Sequence, residues 1–300
     1  MEICIIGFGH AGKAYTEAFK GVINEAKISI IDTDPTVFIP EHYSKLDDIS
    51  GLIFDVIVIA TPPKTHLNVL ASILNHARRI IIEKPICIEI SQYEEIMLLA
   101  RKSNKIYFAF HALFGKELSL IDFATATSAA RSIEVSHIFF DPYNQAGKDA
   151  LGGAFWDSIY NVVSVFYAFF DDYLSVESIA ITVDRFDHFE ASIDYVAAEK
   201  GKRISQNISI RWDLPVNLKV SQIRADDAGY IVNHSMQSIA KIDGIGHDFL
   251  PFQNGRLVDH YSGVVEDALS SDTLNENNER ATNFSKIIWE LDDARRRTES

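Results

Sequence analysis

The chain begins Met1-Glu-Ile-Cys-Ile-Ile-Gly-Phe-Gly-His-Ala-Gly12, and this stretch decides the fold class. Its apolar run, rich in branched residues, predicts a buried strand. Gly7, Gly9 and Gly12 follow with the spacing G-x-G-x-x-G, and a helical pattern continues directly from them. A strand, a glycine turn and a helix in this order are the context in which a dinucleotide is bound, with its phosphates at the helix N-terminus.

A second apolar strand is predicted from Ile28 to Ile31, and it ends in Asp32. Asp32 lies about 20 residues after Gly12, the spacing expected of the acid that binds the adenosine ribose hydroxyls. The alternative is that Asp32 merely begins the turn that runs to Pro35. A carboxylate repels a 2′-phosphate, and no Arg or Lys stands beside Asp32, which favours NAD over NADP as the cofactor.

The composition disfavours several classes of partner and site. The 300 residues are 47% hydrophobic with a formal net charge of −14, which disfavours nucleic acid or an anionic membrane as a partner. Cys4 and Cys87 are predicted to be buried free thiols, and no Cys/His spacing indicates a metal site. A strand that begins at residue 2 leaves no room for a signal peptide, and the longest apolar stretch, near 162–170, is too short to span a membrane. We therefore expect a cytoplasmic protein.

Strands and helices alternate through the first part of the chain, as in the doubly wound parallel sheet of an α/β Rossmann domain. Strands then follow one another with few helices between them, which predicts an α+β domain with a mostly antiparallel sheet. We expect a dinucleotide-binding domain over residues 1–118, a substrate-binding and oligomerisation domain over residues 119–300, and a cleft between them. The predicted strands are 3–6, 28–31, 54–60, 80–82, 105–110, 131–140, 178–186, 191–198, 204–212, 218–223 and 230–242, and the later helices are 155–170, 259–269 and 279–297.

Two motifs end predicted strands at the edge where open α/β sheets bind ligands. Glu83-Lys84-Pro85 ends the fourth strand, and Lys84 is predicted to extend its ammonium toward the nicotinamide, unless it is an ordinary solvated lysine. Thr61-Pro-Pro63 ends the third strand and is predicted to form a rigid turn against the cofactor ribose, unless it only ends the strand. The residues expected to contact the cofactor are Gly7, Phe8, Gly9, His10, Ala11, Gly12, Asp32, Thr61, Pro62, His66, Glu83 and Lys84.

Asp157 and Asn161 lie four residues apart on a predicted helix, about 40° apart on one face. That helix is otherwise apolar and should be buried, so both side chains need polar partners, of which a sugar hydroxyl array is one. In the alternative, Asp157 caps the helix and Asn161 pairs with nearby backbone.

Other side chains could complete a sugar site. His111 ends the fifth strand at the ligand edge, although a lone histidine is usually structural. Phe155, Trp156 and Tyr143 could stack on a sugar ring, although aromatic residues near a helix start are more often part of the core.

Four motifs, in this order, make the chain resemble the glucose–fructose oxidoreductase / inositol dehydrogenase / MocA (Gfo/Idh/MocA) family over nearly its whole length. They are Gly7-Phe-Gly-His-Ala-Gly12, Ala60-Thr-Pro-Pro63, Glu83-Lys-Pro85 and Gly152-Gly…Asp157. The resemblance implies an N-terminal Rossmann domain, a C-terminal domain with a large, mostly antiparallel sheet, and NAD(P)-dependent oxidation of sugars or sugar-like alcohols. It also implies a homodimer or homotetramer that associates through the open face of that sheet.

The chain departs from this family in the helix motif. Most members carry D-x-G-x-H with the histidine as general base, whereas this chain has Asp157-Ser-Ile-Tyr-Asn161, and asparagine does not accept a proton at neutral pH. The form D-S-x-x-N resembles the aldose 1-dehydrogenase branch, such as L-arabinose and D-galactose 1-dehydrogenases, in which the aspartate and asparagine hold the anomeric end of the sugar. The W-H-S-R segment of that branch corresponds to Phe110-His-Ala-Leu113 here, so His111 fits and leucine replaces the arginine.

These observations predict an NAD-dependent aldose 1-dehydrogenase that oxidises the C1 hydroxyl of a cyclic aldose to a lactone. Lys84 and Asp157 are the predicted catalytic residues, and Asn161, His111 and Trp156 are the predicted substrate-binding residues. Two alternatives stay open. The substrate could be another cyclic polyol, an amino sugar or a nucleotide-linked sugar, or the protein could be a non-catalytic NAD-binding sensor or scaffold.

Overall fold

The computed structural model describes residues 1–120, 122–123, 129–142, 150–170, 174–197, 202–226, 228–242, 247–270 and 272–298. The chain forms two compact units, each assembled from two stretches. The first unit contains Met1–His111 and Leu257–Asn283, and the second contains Ala112–Arg256 and Phe284–Ser300. The domains predicted from the sequence were each one continuous stretch, divided at residue 118. In the structure, residues 257–283 belong to the first unit.

Six strands form the sheet of the first unit, and they are β1 (Glu2–Ile6), β2 (Lys27–Ile31), β3 (Ser44–Lys45), β4 (Phe54–Ile59), β5 (Ala77–Glu83) and β6 (Ile106–Ala109). All neighbours are parallel, in the order β3-β2-β1-β4-β5-β6. Five of these strands were predicted, and the two-residue β3 was not. The order is that of a Rossmann fold, and it confirms the predicted parallel sheet.

Three helices connect these strands, namely α1 (His10–Val22), α2 (His66–Ile73) and α3 (Ile90–Ser103). The central strands are buried on both faces, as parallel strands in an α/β sheet require. Cys4 and Cys87 are both buried free thiols, as predicted.

The later stretch of the first unit is attached to the edge strand β6. The Tyr107 hydroxyl donates to Asp267 Oδ2 at 2.5 Å. The side-chain amide of Asn277 accepts from the Phe108 N–H at 2.8 Å and donates to the Phe108 carbonyl at 2.9 Å. Asn277 therefore satisfies the backbone of β6 as a neighbouring strand would.

Eight strands form the sheet of the second unit. They are β7 (Ser132–Phe140), β8 (Leu174–Arg185), β9 (His188–Ala197), β10 (Arg203–Arg211), β11 (Leu218–Ala225), β12 (Ala228–Asn233), β13 (Ser238–Lys241) and β14 (His247–Phe249). Their order is β14-β13-β12-β11-β7-β10-β9-β8. Among these described strands only β7 and β10 are parallel neighbours, which confirms a mostly antiparallel sheet.

The single strand predicted over residues 230–242 was wrong, because the structure divides it into β12 and β13. Residues 234–237 form a turn between these strands, in which the Asn233 side chain accepts from the Met236 N–H at 3.0 Å. Gln237 adopts a φ of 49°, a left-handed conformation that ends an extended run. The three-residue strand β14 was not predicted at all.

In the part of the chain that the structure describes, the later α-helices are α4 (Ala154–Phe169), α5 (Arg256–Leu269) and α6 (Leu274–Thr298). Helix α4 is buried along almost its whole length, as predicted from its apolar sequence. It packs on the face of the second sheet that carries His137, whose ring stacks on Phe169 at a centroid distance of 6.3 Å. No helix among the described residues combines the length and apolar character needed to cross a membrane.

Candidate functional site

The glycine turn between β1 and α1 is built so closely that two of its glycines admit no side chain. Gly7 has a φ of +94°, and a Cβ there would lie 2.5 Å from the Ala60 carbonyl oxygen. A Cβ on Gly12 would lie 2.1 Å from the Gly7 carbonyl oxygen. The first glycine thus permits the turn, and the third lets the helix pack against the strand, as the fingerprint requires.

Gly9 differs from its two neighbours in the motif. It is the N-cap of α1, and a Cβ built there meets no described heavy atom within 4 Å. The first-turn amides of α1, those of His10, Ala11 and Gly12, have no intrahelical acceptor, and Gly9 has no side chain to cap them. The open space and the free helix terminus fit a pyrophosphate.

Gly9→Ala is therefore expected to weaken NAD binding by about tenfold or more, because the added methyl group occupies the space required by the pyrophosphate. The fold should be unaffected, since the φ of −75° suits alanine. Isothermal titration calorimetry measures the affinity, and thermal unfolding checks the fold. Gly21→Ala, a substitution at an exposed glycine of the same helix, is the control, and equal affinities for both variants would contradict the assignment.

Asp32 supports the glycine turn directly. Its Oδ2 accepts from the Phe8 N–H at 2.7 Å, and its Oδ1 accepts from the Asp34 N–H at 2.9 Å. An ionised carboxylate has about four acceptor positions, so two are left for ribose hydroxyls. Both readings of Asp32 from the sequence, turn former and ribose ligand, are compatible with this geometry.

The turn after β4 is fixed by the buried histidine His66. The Thr65 hydroxyl donates to Thr61 Oγ1 at 2.7 Å, and Pro62 is the N-cap of a short 3₁₀ helix, Pro63–Thr65. His66 Nε2 lies 2.8 Å from the Thr61 carbonyl oxygen, and Nδ1 lies 3.0 Å from the Ile86 carbonyl oxygen. Burial lowers the pKa of His66, so a neutral ring donates to one of these carbonyls. His66 therefore links the turn after β4 to the segment after β5.

Glu83 ends β5 as a buried carboxyl, only 4% exposed, directly before Lys84. Its Oε1 accepts from the Tyr15 hydroxyl at 2.8 Å, and its Oε2 accepts from the Lys84 N–H at 3.2 Å. Burial raises the pKa of Glu83 to about 7, although the Lys84 charge and the hydroxyls of Tyr15 and Tyr261 oppose this shift. The carboxyl thus titrates near neutral pH.

The tyrosines beside Glu83 were missed by the sequence analysis. Tyr15 belongs to α1 and Tyr261 to α5, and their ring centroids lie 4.3 Å apart. His111, which was predicted at the ligand edge, begins a short 3₁₀ helix after β6 and is 7% exposed. Its ring lies 5.2 Å from Tyr261 and 5.9 Å from His260. The structure therefore brings Glu83 and His111 to the same tyrosine.

The raised pKa of Glu83 predicts the direction in which the stability of the protein changes with pH. The folded protein holds a proton on Glu83 up to about pH 7, whereas the ordinary value is 4.5. The contribution of Glu83 to the stability of the folded state is therefore fully present below pH 4.5 and is lost as the pH rises through 7. This loss lowers the free energy of unfolding by an amount on the order of 3 kcal/mol. Glu83→Gln should thus be more stable relative to wild type at pH 8 than at pH 5 in urea unfolding, and an equal difference at both values would refute this.

In the second unit, Asp157 and Asn161 lie one turn apart on α4 and are 3% and 6% exposed. Gly152 and Gly153 lead into the helix with φ values of 77° and 102°. A Cβ on Gly153 would lie 2.9 Å from the Phe186 carbonyl oxygen, which explains the glycine at the N-cap. Because Gly153 occupies the cap, the alternative that Asp157 caps the helix is wrong, and its carboxylate lies in the first turn.

Lys219 is a further polar residue near Asp157 that the sequence analysis missed. It lies on β11 with only 6% exposure, and its Nζ donates to Asp141 Oδ1. Burial lowers the pKa of Lys219, while the carboxylates of Asp141 and Asp157 oppose that shift. Lys219 lies on a strand in which polar and apolar residues are mixed, so the sequence pattern does not reveal its burial.

Trp156 packs with its ring centroid 5.2 Å from that of Trp289, and Phe155 lies 4.8 Å from Phe189. Both are buried, so the alternative reading of these aromatic residues as core has direct support. Tyr143, the third candidate for stacking, lies outside the described residues.

Comparisons with known proteins agree with this architecture. Residues 1–111 match a family model, GFO_IDH_MocA, described as an oxidoreductase family with an NAD-binding Rossmann fold. A curated relative, the uncharacterised oxidoreductase YdgJ of Escherichia coli (strain K12), is 24% identical over 123 residues. That alignment covers 37% of this chain and 34% of the relative, about a third of its length.

Solved structures share the fold over nearly the whole chain. A Gfo/Idh/MocA family oxidoreductase from Vibrio cholerae superposes with a TM-score of 0.68 at 15% identity, covering 98% of this chain and 99% of that one. A putative myo-inositol dehydrogenase from Sinorhizobium meliloti 1021 gives a TM-score of 0.67 at 16% identity, with 95% of each chain covered.

A third structure, an oxidoreductase from Agrobacterium radiobacter, was solved with NAD+, L-tartaric acid and magnesium. It gives a TM-score of 0.68 at 13% identity and covers 95% of this chain and 93% of that one. The comparisons therefore show that residues 1–111 match an NAD-binding oxidoreductase family model and that the chain shares its fold with these structures.

Proposed function

We propose that this protein is an NAD-dependent aldose 1-dehydrogenase, which oxidises the C1 hydroxyl of a cyclic aldose to a lactone. The observation that carries the proposal is the pair Asp157 and Asn161, buried one turn apart on α4. An acid and an amide buried on a largely apolar helix support polar recognition, and a sugar supplies the hydroxyl groups for it.

The first unit supplies the cofactor site of this proposal. The open space at Gly9 and the free amides of α1 would hold the pyrophosphate, and Asp32 would bind the adenosine ribose. Bound NAD supplies the acceptor for the hydride that leaves C1. A carboxylate at Asp32 disfavours the 2′-phosphate of NADP, so NAD is the proposed cofactor.

The protein's own residues would manage the proton of the reacting hydroxyl. Lys84 and Asp157 are the two groups proposed to take it up. Asn161 would donate a hydrogen bond to O1 or to the ring oxygen and thereby orient C1. His111 and Trp156 are proposed to line the sugar site.

The test is the absorbance of NADH at 340 nm with purified protein, NAD or NADP, and a panel of aldoses, inositols and amino sugars. Turnover with an aldose and NAD supports the proposal and names the sugar. Turnover only with another polyol or with an amino sugar would make that compound class, and not the aldoses, the substrate. If no compound of the panel is turned over although calorimetry shows NAD binding, the non-catalytic sensor is favoured.

We also propose a cytoplasmic homodimer or homotetramer that associates through the face of the second sheet opposite α4. Free thiols at Cys4 and Cys87 are compatible with a reducing compartment. Ile138 and Ile231, 36% and 40% exposed, lie on that opposite face and offer apolar contact area. Sedimentation velocity should show a dimer or tetramer, and a single monomeric species would exclude this part of the proposal.

A further inference from the structure

Glu83 is enclosed by groups from three separate elements of the first unit. Tyr15 on α1 and Tyr261 on α5 both bond the carboxyl, and the backbone N–H of Lys84 bonds its second oxygen. Burial raises the pKa of Tyr15 well above its usual value, so at neutral pH this hydroxyl stays protonated and acts as a donor. Two phenol donors and one amide donor hold the carboxyl in one place.

The titratable groups around this carboxyl can be named for each element packed against it. They are Tyr15 on α1, Tyr107 on β6, His111 after β6, His260 and Tyr261 on α5, and Lys84 after β5. Of these, Lys84 is the group whose positive charge opposes the upward shift of the Glu83 pKa. Tyr15 and Tyr261 donate hydroxyl groups to the carboxyl, the His111 ring lies 5.2 Å from Tyr261, and His260 lies 5.9 Å from His111. Lys84 directly follows Glu83 at the end of β5.

We propose that Glu83 is a positioning residue for Lys84, and that its carboxyl exchanges a proton with solvent when the dinucleotide binds. The first part rests on the proposed function, because that function makes Lys84 a catalytic residue. The second part rests on the buried Glu83 carboxyl with its three donors and on its place at the end of β5. Open α/β sheets bind ligands beyond the carboxyl ends of their strands, and β5 ends at Glu83.

The link between binding and the proton follows from the titration range. A carboxyl with a pKa of about 7 is half protonated at neutral pH. If a nearby ligand charge moves this pKa down by one unit, the protonated fraction falls to about a tenth, and an upward shift has the opposite effect. An ionised Glu83 places a negative charge beside Lys84, whereas a protonated Glu83 does not. Cofactor binding would thereby change the charge beside Lys84.

The experiment is calorimetric titration of NAD+ and of NADH into the full chain at several pH values between 5 and 9. Each titration is repeated in buffers that differ in ionisation enthalpy. The slope of observed enthalpy against buffer enthalpy gives the number of protons exchanged per ligand bound. Wild type should exchange a substantial fraction of a proton, with a maximum near pH 7. The slope should vanish in Glu83→Gln while the affinity remains measurable, and it should persist in Glu95→Gln, the same substitution at an exposed glutamate of α3.

Tyr15→Phe keeps the proposal testable if Glu83→Gln fails to fold. This variant removes a donor that lowers the pKa of Glu83, so the exchange maximum should move to higher pH. If Glu83 had only a structural role, Tyr15→Phe would change the melting temperature but would not shift the pH at which proton exchange is greatest. A wild-type slope of zero, or the same slope in Glu83→Gln, overturns the proposal. None of these readouts needs turnover, so they stand apart from any failure of the aldose assay.

Discussion

Lys84→Ala is expected to lower kcat by roughly 10²–10⁴-fold, because it removes a group proposed to take up the proton of the reacting hydroxyl. Lys84 directly follows the end of β5, where its neighbour Glu83 is fixed by two tyrosines. The measurement is the steady-state rate of NADH formation with the substrate found in the panel assay. Circular dichroism checks that the variant is folded.

The matched control is Lys64→Ala, which removes an exposed lysine from the turn after β4 on the same edge of the sheet. Its kcat should stay close to that of wild type. NADH binding to Lys84→Ala, measured by fluorescence, separates a loss of chemistry from a loss of cofactor. Near-wild-type turnover in Lys84→Ala would remove Lys84 from the mechanism and leave Asp157 as the proton acceptor.

Gly12→Ala is expected to destabilise the protein by about 3 kcal/mol or more, because its Cβ would lie 2.1 Å from the Gly7 carbonyl oxygen. The obstacle is backbone, which cannot rotate away as a flexible side chain would. The packing of α1 against β1 would have to open, and the glycine turn would open with it. Urea unfolding monitored by circular dichroism measures the change.

Gly21→Ala, in the same helix, is the control for this substitution. A Cβ at Gly21 meets no described heavy atom within 4 Å, and alanine favours a helix over glycine by about 0.5–1 kcal/mol. This variant should therefore be as stable as wild type or slightly more stable. If Gly12→Ala unfolds at the same urea concentration as Gly21→Ala, the close approach of helix and strand is not what fixes glycine at this position.

The sequence predicted the parallel sheet because its signals are local. Each central strand is a short run of branched apolar residues, and Gly7 and Gly12 stand where the spacing of the fingerprint requires residues without side chains. The same holds for α4, where a largely apolar run indicated burial. The mostly antiparallel second sheet followed from strands in succession, although the turn at residues 234–237 and the short strand β14 gave no clear pattern.

The contacts around Glu83 could not be predicted, because they join residues far apart in the sequence. Tyr15 and Tyr261 are ordinary core aromatic residues by pattern, and only the return of α5 to the first unit brings Tyr261 to the carboxyl. Lys219 is similar, since a lysine on a strand normally indicates a solvated face. Its burial against Asp141 depends on the pairing of β11 with β7.

The return of residues 257–283 to the first unit also sets the order of events during synthesis. Asn277 and Asp267 supply the partners of the edge strand β6, and the ribosome must first make residues 112–256. At roughly 5–20 residues per second, the nascent Rossmann sheet keeps an open edge for on the order of ten seconds. Newly made chains are thus exposed to edge-to-edge association until their last helices emerge, and a fragment that stops at residue 118 would keep that edge permanently.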